Sequence, residues 1–207
     1  MPTYTNPQTI DTGTQRSAAE LQSNFDAIQG ALNGGLDEVN VPNLAAAFTT
    51  WKDIVRVSGA LAAGAGTATY VVNNGTYQVG AANSGFAAYY LDPSDYTANS
   101  RTTRYRIRWA CLVNAVNTAA TLTCGLSPVT AFGGASGALP TIGSVGAAVT
   151  GSTVAFTSPL ASTNTVVLSS EFNAPSAGMY VFTVALSPGL AAGSSATIFA
   201  GLEMRQA

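Results

Sequence analysis

Thr103-Arg104-Tyr105-Arg106-Ile107-Arg108-Trp109-Ala110-Cys111-Leu112-Val113 sets arginine against large apolar side chains in strict alternation from Arg104 to Trp109. Successive side chains of a strand point to opposite faces. Tyr105, Ile107, Trp109 and Cys111 therefore share one face, and Arg104, Arg106 and Arg108 share the other. The stretch predicts a half-buried strand over Thr103 to Ala115.

Strand signals surround it. Thr67 to Val72 and Thr76 to Val79 flank Asn73-Asn74-Gly75, whose Asn-Gly pair is a strong hairpin signal because both residues accept positive φ. Phe86 to Leu91 extends until Asp92-Pro93-Ser94-Asp95. Ala119 to Leu126, Val145 to Thr150, Thr153 to Phe156, Thr165 to Phe172, Met179 to Leu186 and Thr197 to Met204 complete a series of about ten short strands separated by turns, the pattern of a sandwich, jelly roll or barrel. Strands and helices do not alternate as in βαβ units, so a nucleotide-binding α/β fold is not expected. A hairpin turning about Asn117-Thr118 would set Cys111 opposite Cys124. Such a pair either forms a disulfide or stays as two small buried thiols.

One amphipathic helix precedes the strands. Ala18, Leu21, Phe25, Ile28 and Leu32 step by three and four, Ser17 and Glu20 form a capping box, and Asn33-Gly34-Gly35 stops the helix. A helix this short is marginal alone in water, so its stripe needs cover, either from its own domain or from other copies of the chain. Read as two heptads, Leu21, Phe25, Ile28 and Leu32 are the candidate oligomer contact. Residues 1–16 read as an extended docking arm, 17–57 as helix and connector, 58–66 as a Gly/Ala-rich flexible joint, and 67–207 as a β head.

The chain has 207 residues, a net charge of −2 and only 9% charged residues, against about 25% in typical soluble domains. Beyond Arg108 only Glu171, Glu203 and Arg205 carry charge. Such a surface stays soluble through Ser, Thr and Asn, or is buried against neighbours. The acidic balance argues against nucleic acid as a partner. No apolar run has the roughly 18 residues needed to span a bilayer, so membrane insertion is not expected. Met1 to Asp11 is polar, with no secretory core, which suggests a route such as release inside a virion.

Chemistry is not expected. The chain has no histidine, which removes Ser-His and Cys-His nucleophile pairs and the commonest zinc ligand, and it has no CxxC pattern. No cofactor or metal is implied. Asp92 and Asp95 could serve a glycosidase, but Asp-Pro-Ser-Asp reads first as a type I turn. Gly133-Gly134-Ala135-Ser136-Gly137 precedes no helix, so it fails as a phosphate loop. Arg104, Arg106 and Arg108 remain: a solvated strand face paired to Asp53, Asp92 or Asp95, a subunit contact, or a site for an acidic ligand such as an anionic glycan. Trp51, Trp109 and the Tyr89-Tyr90 pair are candidate stacking platforms for a carbohydrate-binding module.

Two stretches resemble known families. Ser17 to Asp37, with Leu21-Gln-Ser-Asn-Phe25-Asp-Ala-Ile28-Gln-Gly-Ala-Leu32-Asn-Gly followed by Leu36-Asp37, Asn40 and Asn43-Leu44, resembles the N-terminal segment of tailed-bacteriophage fibre and minor virion proteins. Phe172-Asn-Ala-Pro175-Ser-Ala-Gly178-Met-Tyr180-Val-Phe182 resembles the F-x-A-P-x-x-G-x-Y-x-F stretch of complement-type and tumour-necrosis-factor-like jelly rolls, which are trimeric heads. Fewer strands can follow Phe182 than that family places there, so a generic β-sandwich with the same turn is the alternative. The resemblances imply a homotrimeric phage appendage, anchored through its N-terminus to capsid, portal or tail and contacting host glycans. The expectation is a non-enzymatic, mainly β virion protein: an arm and a short helix, then an antiparallel, jelly-roll-like sandwich.

Overall fold

The computed structural model describes residues 22–28, 50–73, 75–81, 88–92, 102–114, 120–136, 140–157, 165–173 and 175–206. Its contacts divide the chain into Met1–Thr50 and Trp51–Ala207. In the first unit residues 22–28 are helical, with Phe25 and Ile28 65% and 49% exposed. The arm, the capping box, Leu21, Leu32 and the Asn-Gly-Gly stop lie outside the described residues.

The second unit is an antiparallel β-sandwich. Its strands are β1 (Lys52–Leu61), β2 (Ala68–Asn73), β3 (Gly75–Gln78), β4 (Tyr89–Leu91), β5 (Thr103–Val113), β6 (Thr121–Gly133), β7 (Thr141–Val145), β8 (Val154–Phe156), β9 (Thr165–Leu168), β10 (Phe172–Asn173), β11 (Gly178–Ser187) and β12 (Ala196–Gln206). One sheet runs β1-β12-β5-β10, with β9 also on β5; the other runs β3-β2-β11-β6-β7, with β4 on β11 and β8 on β6. The β5 alternation holds: Thr103, Tyr105, Ile107, Trp109, Cys111 and Val113 are buried, and the side chains between them are half-buried or exposed. Opposite them β11 supplies Tyr180, Phe182, Val184 and Leu186. Trp109 meets Phe182 edge-on at 5.7 Å between ring centroids, and Tyr105 stacks on Phe172 at 5.9 Å. Aromatic pairs in these geometries add to the free energy of burying their area.

Several expectations need correction. The β5–β6 hairpin does not form: β5 lies between β12 and β9 or β10 in one sheet, and β6 pairs with β11 in the other. Cys111 and Cys124 come from opposite sheets into one core, both as free thiols. Burial pushes Cys111 up to about 11 and Cys124 well above its ordinary value, with a smaller Coulombic push from Cys111 on Cys124.

The start of the expected joint at 58–66 is strand instead, because β1 pairs with β12 from Lys52 through Leu61. The small residues there serve close packing. A Cβ on Gly59 would lie 2.0 Å from the Gly75 carbonyl oxygen, and one on Gly189 would lie 2.7 Å from that of Ala65. The turn after β1 is stitched in place by Gly64 N–H to Ser194 O and Leu190 N–H to Ala65 O.

The strand expected at Val145–Thr150 does not form: the strand here, β7, precedes it and ends at Val145. The following residues trace β6 irregularly: Gly146 and Val149 donate to the carbonyls of Pro128 and Leu126, and Ser152 Oγ accepts from Leu126 N–H. Pro128 has no N–H to give a ladder, and it sits where β6 changes partner from β8 to β7. The hairpin at Asn73 and Gly75 forms, with Val72 opposite Thr76, but Gly75 is paired with Asn73 and is not at positive φ, so it is not the two-residue Asn-Gly turn expected. Phe172 and Tyr180 lie on strands of different sheets, so the Pro175 turn joins the two layers.

Candidate functional site

The two outer faces of the sandwich differ. Over the β2-β11-β6 sheet, Val71 and Val181 are covered by Ile142, with Val79, Val129 and Val145 packed around them. Over the β1-β12-β5 sheet the register sets out the outward-facing residues in rows. Arg56, Gly201 and Arg108 form one row that continues to Leu168; Ser58, Phe199 and Ala110 form the next, continuing to Val166. Asp53, Glu203 and Arg106 form a third, and Arg205 pairs with Arg104, which pairs with Asn173.

The three arginines of β5 are on this face as expected, but their partners are not. Glu203, its side chain 5% exposed, accepts from Arg106 Nε at 2.6 Å and Arg108 Nε at 3.0 Å. Arg104 donates to Asn173 Oδ1. Asp53 pairs with Arg56, and Arg205 donates to both carboxylate oxygens of Glu171, at 2.9 and 3.0 Å. Asp92 accepts instead from the Tyr90 hydroxyl at 3.4 Å, and Asp95 lies outside the described residues. Glu203 is 97 residues beyond Arg106, so only the β5–β12 pairing brings them together.

The aromatic candidates are also redistributed. Trp109 is fully buried and offers no platform. Trp51 carries two guanidinia on its ring, Arg106 at 4.2 Å and Arg205 at 5.0 Å, an attraction between cation and ring quadrupole. Tyr89 packs edge-on against Phe182 in the core, and Tyr90 is exposed.

Two features of this face were not singled out from the sequence. The first is an apolar patch around Ala110: Leu112, Val166, Leu168 and Phe199 stand about it, between 42% and 54% exposed. The second is a depression of about 300 Å³ above Gly201, bounded by Arg56, Arg108, Phe199, Val57 and Asp53. Phe199 and Gly201 share the outer face of β12, but Ala196–Leu202 is almost wholly apolar, so the sequence alone hides which face is outward.

Among the described residues no group of three or more Cys, Asp or Glu could hold a metal ion, and no helix is long and apolar enough to cross a membrane. No family model matches the chain, and no curated protein matches it in sequence.

Proposed function

We propose that this chain is a structural protein of a bacteriophage virion: a homotrimeric fibre, spike or decoration appendage. Its N-terminal arm (residues 1–16) docks on capsid, portal or tail, and its β-sandwich projects outward. The observation that carries the reading is the β9 side of the apolar patch, Leu112, Val166 and Leu168 beside Ala110. Isolated exposed apolar residues are ordinary, but neighbouring ones gathered on one sheet face mark an association surface. The opposite outer face shows how the chain treats such side chains when it can cover them itself. The exposed Phe25 and Ile28 add a second apolar surface for association, and the order of three comes from the two resemblances.

Light scattering on the purified full chain at 10 μM tests the proposal. A mass of three chains is expected, falling to one chain in the Val166→Asp/Leu168→Asp variant with the far-ultraviolet circular dichroism retained. A monomeric wild-type mass overturns it.

A further inference from the structure

Gly201 is a glycine that packing does not require. At Gly59, Gly125 and Gly143, also within strands, an added Cβ would come to 2.0, 2.9 and 3.1 Å of its nearest neighbour. At Gly201 the nearest atom would be Arg56 Cγ at 3.7 Å, ordinary van der Waals contact, and the backbone is not at positive φ. Glycine inside a strand costs about 0.5–1 kcal/mol relative to alanine. Where neither sterics nor dihedral demands it, it commonly marks a close approach by something else. Here the missing side chain is the floor of the 300 Å³ depression.

The walls say what would approach. Arg56 and Arg108 both pair with Gly201 across the sheet, so their Cα atoms stand two strand spacings apart, roughly 10 Å. Long side chains at that separation can converge on one planar anion. Arg108 gives its Nε to Glu203, and its terminal nitrogens have no partner among the described residues. Phe199, next along β12 on the same face, offers an apolar surface, and Asp53 is an acceptor beside Arg56. A phosphate would suit the guanidinia but sets up to two negative charges beside the Asp53 carboxylate and gives Phe199 no apolar face to stack on. A sugar bearing one carboxylate suits all three: carboxylate to guanidinia, hydroxyls to Asp53, and an axial C–H face to the ring.

We propose that the depression above Gly201 binds a carboxylate-bearing sugar, a hexuronate or similar acid of a polysaccharide. The site lies on the β1 side of Phe199, within one copy of the chain, and needs no particular oligomeric state. The test is titration of the full chain with tetragalacturonate, followed by calorimetry and saturation-transfer NMR. Cellotetraose and inorganic phosphate serve as comparisons.

Saturable binding is expected for tetragalacturonate, at least tenfold tighter than for either comparison. It should weaken at least tenfold in Arg56→Ala and in Phe199→Ala. Gly201→Ala, whose added Cβ comes no closer than 3.7 Å to any neighbour and raises the floor, should weaken it at least tenfold. Arg104→Ala, on the same face but outside the depression, should leave it within twofold. Absence of saturable binding at millimolar ligand overturns the proposal. So does equal binding of phosphate, or an equal loss in Arg104→Ala, since either means attraction to charge alone. Circular dichroism of each variant separates these outcomes from loss of fold, and light scattering on the same samples keeps them distinct from failure to trimerise.

Discussion

At Gly59 a single hydrogen holds open the crossing of β1 under the β2–β3 hairpin. The atom a methyl would strike is a backbone oxygen, which cannot swing away as a side chain can. Gly59→Ala is expected to destabilise the sandwich by about 1–3 kcal/mol, read as a lower urea midpoint at unchanged m-value. The two thiols make a second residue-scale prediction. Both are held protonated by burial in the native state, and both ionise near their ordinary value once the chain unfolds. Between about pH 9 and pH 11 the unfolded chain therefore binds fewer protons than the native one, and stability falls as pH rises. The expected slope is roughly 1.4 kcal/mol per pH unit for each thiol. A Cys111→Ala/Cys124→Ala variant should lack that share of the decline, and the native thiols should resist a disulfide reagent at pH 8. That both cysteines would be buried was legible from the alternation around Cys111. That they face each other from different sheets was not, because a symmetric turn at Asn117-Thr118 is a local inference and the partner of a strand is a non-local fact.

At the level of elements, the sequence yields strands far better than it yields their pairing. Alternation and turn residues placed β2, β3, β5, β8, β11 and β12 within a few residues of their observed bounds. β1 was misread because Ser58 to Gly66 is rich in Gly and Ala, a composition shared by flexible joints and by tightly crossed backbones. The Arg face was legible as a face. Its function as a cross-strand network was not, since Glu203 meets Arg106 only through the β5–β12 ladder. That carboxylate is the hub of the face, and without it two neighbouring guanidinia lose their shared partner. Glu203→Ala is expected to cost about 2–3 kcal/mol by chemical denaturation, toward the lower end because Arg108 is half exposed and partly screened by water. Arg106→Ala should cost less than Glu203→Ala, because Arg108 still pairs with the carboxylate. A result in the reverse order would show that Arg106 acts mainly through its contact with Trp51.

For the molecule as a whole, the trimer we propose would place three depressions on one assembly. Weak individual sites then act together, with effective concentrations reaching the millimolar range where the spacing matches the target. The charge distribution supports this use. Arg16 faces five carboxylates before Trp51 (Asp11, Glu20, Asp26, Asp37 and Glu38), whereas cations outnumber carboxylates after it. An acidic ligand is therefore drawn to the residues after Trp51 rather than to the N-terminal segment, an effect expected to weaken as salt is raised from 50 to 300 mM. The seating of β1 adds a last consequence, a mechanical one. A tether pulling on the N-terminal segment delivers its load to Lys52, at the start of a strand paired with β12 along its length, with Trp51 gripped just ahead by Arg106 and Arg205. When the head is held at its far end, force runs along β1 and loads its ladder bonds together in shear instead of peeling them one at a time. Drawn from residue 51 in an optical trap, the head should rupture at markedly higher force than when peeled sideways from Ala60.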